Sequence, residues 1–143
     1  MRRVLLRSLV VMTASLSLAA AATVPAIAVP TLKSQLGPTA TVIAGGAAVH
    51  VRLVYTCPSG DKAPNVSTSV TERVPGGIAT GNGSAPSNTV RCDGVQHTVQ
   101  FGVATSNNYA FQTGIAFATG DLAVTLANGI FTDFSCEAII SIQ

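Results

Sequence analysis

From residue 29 onward the longest run free of glycine and proline is residues 130–143, and this punctuation constrains the fold more than any other feature. A glycine or proline inside an α-helix costs about 1 to 3 kcal/mol, so only that last window has room for an ordinary helix. Its β-branched and aromatic residues favour a strand even there. Between the breakers the apolar residues alternate. Within residues 47–57, Val49, Val51, Leu53, Tyr55 and Cys57 share one parity while His50, Arg52 and Thr56 take the other, the period of a strand buried on one face.

The same reading along the chain predicts further short strands. Residues 39–44 form one, joined to the first by a tight turn at Gly45-Gly46. Residues 65–74 form another, with Val66, Val70 and Val74 facing in. Thr68 and Glu72 share that inward parity, so an edge position is expected. Residues 75–88 carry four glycines and two prolines and read as one long mobile loop, with room for a short strand near Ile78. A brief strand at 89–92 precedes the Asp93-Gly94 turn. Residues 96–105 follow with Val99, Phe101 and Val103 inward. Residues 109–119 repeat the pattern through Phe111, Thr113, Ile115 and Phe117, and the last strands are 122–126 and 136–142, with Ala138, Ile140 and Ile142 inward. Seven or eight short strands with turn signals about every 8–12 residues predict an all-β antiparallel sandwich.

The first residues are of a different kind. Arg2, Arg3 and Arg7 lead an apolar stretch at residues 8–22, and Ala26-Ile27-Ala28 makes a small-x-small cleavage site before Val29. This is the pattern of a secretory signal peptide; its apolar stretch is shorter than the roughly 20 residues that span a bilayer. The paired Arg2-Arg3 also fits a twin-arginine signal, which would export the chain already folded. The expected organisation is a signal peptide at 1–28, an N-terminal arm at 29–38 and one β-domain at 39–143. The product is expected on the extracellular side of the cell envelope or secreted, with no membrane insertion after cleavage.

Past residue 28, Lys33, Arg52, Lys62, Arg73 and Arg91 stand against Asp61, Glu72, Asp93, Asp121, Asp133 and Glu137, one negative charge in excess. No basic cluster remains, so the counterion-release term that drives nucleic-acid binding is absent and no nucleic-acid partner is expected. The three cysteines, Cys57, Cys92 and Cys136, cannot all pair within the chain. Three single bridges are open by count. The pair Cys57 with Cys92 is favoured because both end strands beside turn residues, which leaves Cys136 on the inner face of the last strand as a small hydrophobe.

Chemical constellations are sparse. There is no Gly-x-Ser-x-Gly elbow, and His50 and His97, the two imidazoles, have no closely spaced metal-ligand companions. Neither a catalytic residue, a metal nor a cofactor is expected, and Asp61, Asp93 and Asp121 read as turn-makers. Asn65-Val66-Ser67 and Asn82-Gly83-Ser84 match the glycosylation acceptor pattern.

Gly45-Gly46-Ala47-Ala48-Val49, Val54-Tyr55-Thr56-Cys57, Cys92-Asp93-Gly94 with His97, and residues 111–118 together make the chain resemble a group of small secreted actinobacterial proteins of unknown function. The resemblance implies a single immunoglobulin-like sandwich behind a leader. It brings no catalytic residue. The chain has no Trp of the kind that antibody domains pack on their bridge.

The expected function is therefore non-catalytic binding or a structural role, toward a protein or an envelope glycan, through loops and an exposed sheet edge. The alternatives are a small secreted serine-protease inhibitor, with residues 71–77 presenting Arg73 or Val74 to the protease, and a secreted hydrolase using His50 or His97.

Overall fold

The computed structural model describes residues 31–143, so the leader expected at 1–28 lies outside the described residues. Eight strands make up the fold: β1 Lys33–Leu36, β2 Thr39–Ile43, β3 Ala48–Thr56, β4 Lys62–Val74, β5 Gly77–Ala85, β6 Gln96–Thr105, β7 Gly114–Thr125 and β8 Phe131–Ile142. Two single 3₁₀ turns, Ala44–Gly46 and Ser87–Thr89, are the helical elements among the described residues. The described residues are all-β, as their breakers and alternation require.

Hydrogen bonding runs in the order β1-β3-β2-β8-β7-β4-β5-β6, and β6 returns to β3, so the ladder closes into a barrel. The most regular wall is β3 against β6, antiparallel from Ala48↔Ala104 to Thr56↔Gln96. Two junctions close the ring. At one, β2 runs parallel to β8 through Thr39↔Ser141 and Ala40↔Ile142. There the Ser141 N–H donates to the Pro38 carbonyl at 2.9 Å and the Val42 N–H to the Gln143 carbonyl at 2.8 Å. At the other, β5 meets β6 through Gly81↔Thr105 and Asn82↔Ala104.

Part of the expected N-terminal arm is strand. β1 pairs with β3 from Lys33↔Thr56 to Leu36↔Leu53, and β2 takes over from Thr41↔His50. The register steps by two residues at Gly37-Pro38. Proline has no N–H to give a ladder, and this is where the chain leaves β3 to reach β8. Buried Leu36 makes β1 part of the core.

Residues 75–88, read as a mobile loop, are instead a hairpin turn and strand β5, which pairs with β4 from Val74↔Gly77 to Val66↔Ala85. The turn needs only Pro75-Gly76, with Gly76 at φ +87°, where a side chain would be strained. The other glycines serve packing. A Cβ on Gly81 would collide with the Ala104 carbonyl, and one on Gly83 with the Gly102 carbonyl. β5 lies on the β6 backbone because its inward residues are Gly or Ala.

β4 is correspondingly interior rather than an edge, flanked by β5 and β7. Its inward polar residues, Thr68 and Glu72, are each 3% exposed, and both are satisfied. The Thr68 hydroxyl donates to the Thr119 carbonyl, and Glu72 Oε2 accepts the Gln112 N–H at 2.9 Å. A buried polar group so paired avoids the desolvation cost that would otherwise exclude it.

Residues 114–125 are one strand, not two, and their phase is opposite to expectation: Ala116, Ala118, Leu122 and Val124 face in, whereas Ile115 and Phe117 are exposed. The interior has no room for large residues here. A Cβ on Gly120 would lie 2.7 Å from Leu53 and 3.2 Å from both Leu36 and Cys136. Phe111 is buried as expected, but it precedes the strand, and its N–H donates to the Gly46 carbonyl at 2.8 Å.

The predicted strand at 89–92 is absent. After the 3₁₀ turn the chain is held by the Arg91 N–H donating to the Tyr55 hydroxyl at 2.9 Å and by the Cys57–Cys92 disulfide, with Cα atoms 4.8 Å apart. Thirty-five residues separate the two cysteines, and closing a loop of that length stabilises the fold by about 4 kcal/mol in the chain-entropy treatment. Cys136 is a free thiol, half-buried on the inward side of β8.

Candidate binding surface

Because side chains alternate along a strand, fixing one face of β7 inside the barrel fixes the other outside. Registers then place the outward residues of four neighbouring strands in rows. Phe117 stands opposite Ile139 of β8 on one side and Thr71 of β4 on the other, and Thr71 stands opposite Thr80 of β5. One step toward the β4–β5 turn, Ile115 faces Ser141 and Arg73 faces Ile78. One step the other way, Glu137, Thr119, Ser69 and Asn82 form a row, in which the Ser69 and Thr119 hydroxyls hydrogen-bond at 2.7 Å.

The consequence is an outer face of the barrel with Ile115 66%, Phe117 42%, Ile139 67% and Ile78 53% exposed. Isolated exposed apolar residues are ordinary, whereas a contiguous group on one sheet face is less so. Arg73 and Glu137, both exposed, flank it. Among the described residues neither forms an ion pair within the chain.

At the turn end of this face a concavity of about 470 Å³ is lined by Thr71, Arg73, Val74, Gly76, Gly77 and Ile78. Residues 106–110 support its rim. The Tyr109 hydroxyl donates to the Gly76 carbonyl at 3.0 Å, and the Asn107 amide donates to the Ile78 carbonyl at 2.8 Å. Tyr109 lies across Gly77, where a side chain would meet its ring.

Arg73 and Val74, proposed from sequence as an inhibitory segment, are thus brought to this rim. Both are paired in the β4–β5 hairpin, Arg73↔Ile78 and Val74↔Gly77, and Val74 is buried at 7% exposure. A protease would have to strip that pairing before it could hold the intervening bond.

The two histidines lie apart. His50 pairs with Gly102 and His97 with Tyr55, positions of opposite parity on β3, so they project from opposite faces of one wall. His97 Nε2 lies 2.8 Å from Asp93 Oδ1, and its ring packs tilted on Tyr55 with centroids 5.7 Å apart. Asp93 Oδ1 also accepts the Val95 N–H at 3.0 Å. The hydrogen bond from His97, and after it that from Val95, holds the exposed Asp93 carboxyl below its ordinary range. Asp93 therefore makes its turn as expected and also orients His97, which locks the corner beside the disulfide.

Asn65 and Asn82, in the two acceptor patterns, are exposed. Among the described residues no three His, Cys, Asp or Glu side chains gather to hold a metal ion, and no helix is long and apolar enough to cross a membrane. The inward parity of Ala138, Ile140 and Ile142 already set Ile139 outward, whereas sequence reading placed Ile115 and Phe117 inward and so missed them as surface residues. The signal that could have found them is the unbroken parity linking Ala116 and Ala118 to Leu122 and Val124.

No family model and no curated protein matches the chain. Among solved structures it is similar to murine CRIg, at 10% identity and a TM-score of 0.41 over 79% of this chain and 98% of that one.

Proposed function

We propose that this chain is a non-catalytic exported binding protein with an immunoglobulin-like fold, acting at the cell envelope or outside the cell through the outward face of β8, β7, β4 and β5. The observation that carries this reading is the set of adjacent exposed side chains Ile115, Phe117 and Ile139, with exposed Ile78 two strands over beyond Arg73, held on paired strands rather than on a loop. A rigid apolar face costs little conformational entropy on binding. Its aliphatic character favours a protein partner over an envelope glycan. The leader at 1–28 and the Cys57–Cys92 bridge support an oxidising compartment. The likeness to small secreted actinobacterial proteins belongs to the same reading.

The test is retention on immobilised exported protein from envelope and extracellular fractions, with wild type beside Phe117→Glu. A partner held by the wild type and lost by the variant supports the proposal. If the wild type retains nothing that the variant does not, binding through this face is wrong.

A further inference from the structure

We infer that the partner of this face is a second copy of the chain, packed face to face about a two-fold axis that passes over Phe117. This rests on the binding reading above and gives it a specific occupant. A two-fold interface must be self-complementary, each patch meeting its own copy, and the registers make this one so.

Relative to Phe117, Arg73 lies one strand over on β4 and two residues toward the hairpin turn. Glu137 lies one strand over on β8 and two residues the other way. With strands about 4.8 Å apart and about 6.8 Å per two residues, each sits about 8 Å from Phe117 on one diagonal. An axis in the plane of the face, perpendicular to that diagonal, lays Arg73 over the partner's Glu137 and Glu137 over the partner's Arg73. The same operation stacks Phe117 on the partner's Phe117 and brings Ile115 within about 3 Å, in projection, of the partner's Ile139.

Both unpaired charges are thereby matched and three apolar side chains buried. The strands of the two copies cross at about 70°, near the orthogonal class of sheet packing. Two faces four strands wide that cross at this angle overlap over roughly 400 Å² at these spacings, about half of the roughly 800 Å² per partner of a standard interface, which puts the dimer among weak, concentration-dependent ones.

Sedimentation of the purified exported protein from about 1 µM to about 1 mM, with Cys136→Ser run beside the wild type and the Cys57–Cys92 bridge left oxidised, reads the outcome. The wild type is expected to dimerise, and Phe117→Glu to be monomeric because it places two carboxylates together on the axis. Arg73→Glu and Glu137→Arg are each expected to weaken the dimer at least tenfold by opposing like charges. The double variant R73E/E137R is expected to recover to within about threefold of wild type. That recovery separates the contact from any loss of folding.

A wild type that stays monomeric throughout overturns the inference, as does a dimer indifferent to Phe117→Glu or one that the double swap fails to restore. A dimer that vanishes in Cys136→Ser is linked through that thiol and overturns it equally. If the monomeric protein still retains a partner that Phe117→Glu loses, this inference fails while the binding reading survives.

Discussion

Gly83 and Gly102 lie against each other where β5 crosses β6, yet replacing each with alanine is expected to move stability in opposite directions. On Gly83 an added Cβ would collide with the Gly102 carbonyl oxygen and lie 3.1 Å from the Gly102 carbonyl carbon and the Val103 Cα. All three are backbone atoms of a strand pinned along its length to β3, so no side chain can swing aside. Forcing a methyl group into such a contact costs about 1 to 3 kcal/mol. The loss of glycine's unfolded-state freedom returns about 0.4 to 1 kcal/mol, leaving a net destabilisation of roughly 1 to 2 kcal/mol. On Gly102 the nearest atom to an added Cβ is His50 Cδ2 at 3.9 Å, an ordinary contact, so the entropic gain stands alone. Thermal unfolding followed by circular dichroism reads the difference, at roughly 4 °C per kcal/mol for a domain of this size. Gly83→Ala should melt roughly 4 to 8 °C below wild type, and Gly102→Ala should equal or exceed it by a few degrees. Equal melting temperatures for the two variants would refute the argument that the glycines of β5 exist to let it lie on β6.

Other consequences are as direct. Removing the bridge as the Cys57→Ala, Cys92→Ala double variant should cost about 4 kcal/mol in urea unfolding, whereas Cys136→Ser should change stability far less; similar losses would mean the bridge spans no constraint in the unfolded chain. Glu72→Ala removes the buried carboxylate that accepts the Gln112 N–H and should cost about 1 to 3 kcal/mol, a range that covers a hydrogen bond to a charged group; an unchanged midpoint would show that water replaces the carboxylate. The Asp93 carboxyl is held below its ordinary value of 3.8 by His97, so its folded form binds a proton less readily than its unfolded form. The stability it contributes is complete above that value and lost as pH falls through the lower folded one. Asp93→Asn should therefore lose stability relative to wild type above pH 3.8 and converge with it in more acid solution, and a constant difference across that range in a melting series would contradict the assignment.

The strands that sequence reading places correctly are those whose two faces differ in character. β3 and β6 alternate valine, leucine or phenylalanine with polar residues, and each is buried at the expected parity, Val49, Val51 and Leu53 in one and Val99, Phe101 and Val103 in the other. β8 follows through Ile140 and Ile142. The bridge was legible because Cys57 and Cys92 both adjoin turns. β5 was not, because composition cannot separate a glycine that frees a loop from one that makes space for a neighbouring backbone. Gly76 is of the first kind, at positive φ, and Gly81 and Gly83 are of the second. Asp93 and His97 each had a sufficient local explanation, so their pairing across four residues added no pattern to detect.

β7 poses the problem in its sharpest form, because over its first residues, Ile115 to Ala118, both of its faces are apolar. Within those residues parity divides Ile115 and Phe117 from Ala116 and Ala118 without saying which pair is inside, and hydrophobicity alone favours the larger residues; only when the strand is carried on to Asp121, Leu122 and Val124 does parity choose. Volume decides otherwise. Leu36 and Leu53 converge on Gly120 from across the barrel, leaving a gap that alanine and glycine fill and isoleucine or phenylalanine would overfill, at a cost of about 1 to 3 kcal/mol each. Rotating β7 to bury Phe117 would also place Asp121 where Leu122 now lies at 0% exposure, an unpaired buried charge that no packing gain offsets. Outward placement of Ile115 and Phe117 is therefore forced by the core. Core packing does not, however, require those outward residues to be apolar, nor Ile139 to stand beside them on the next strand. Polar residues would serve the fold as well there, and it is on this surplus of apolar surface, unexplained by folding, that the proposal of a binding face rests.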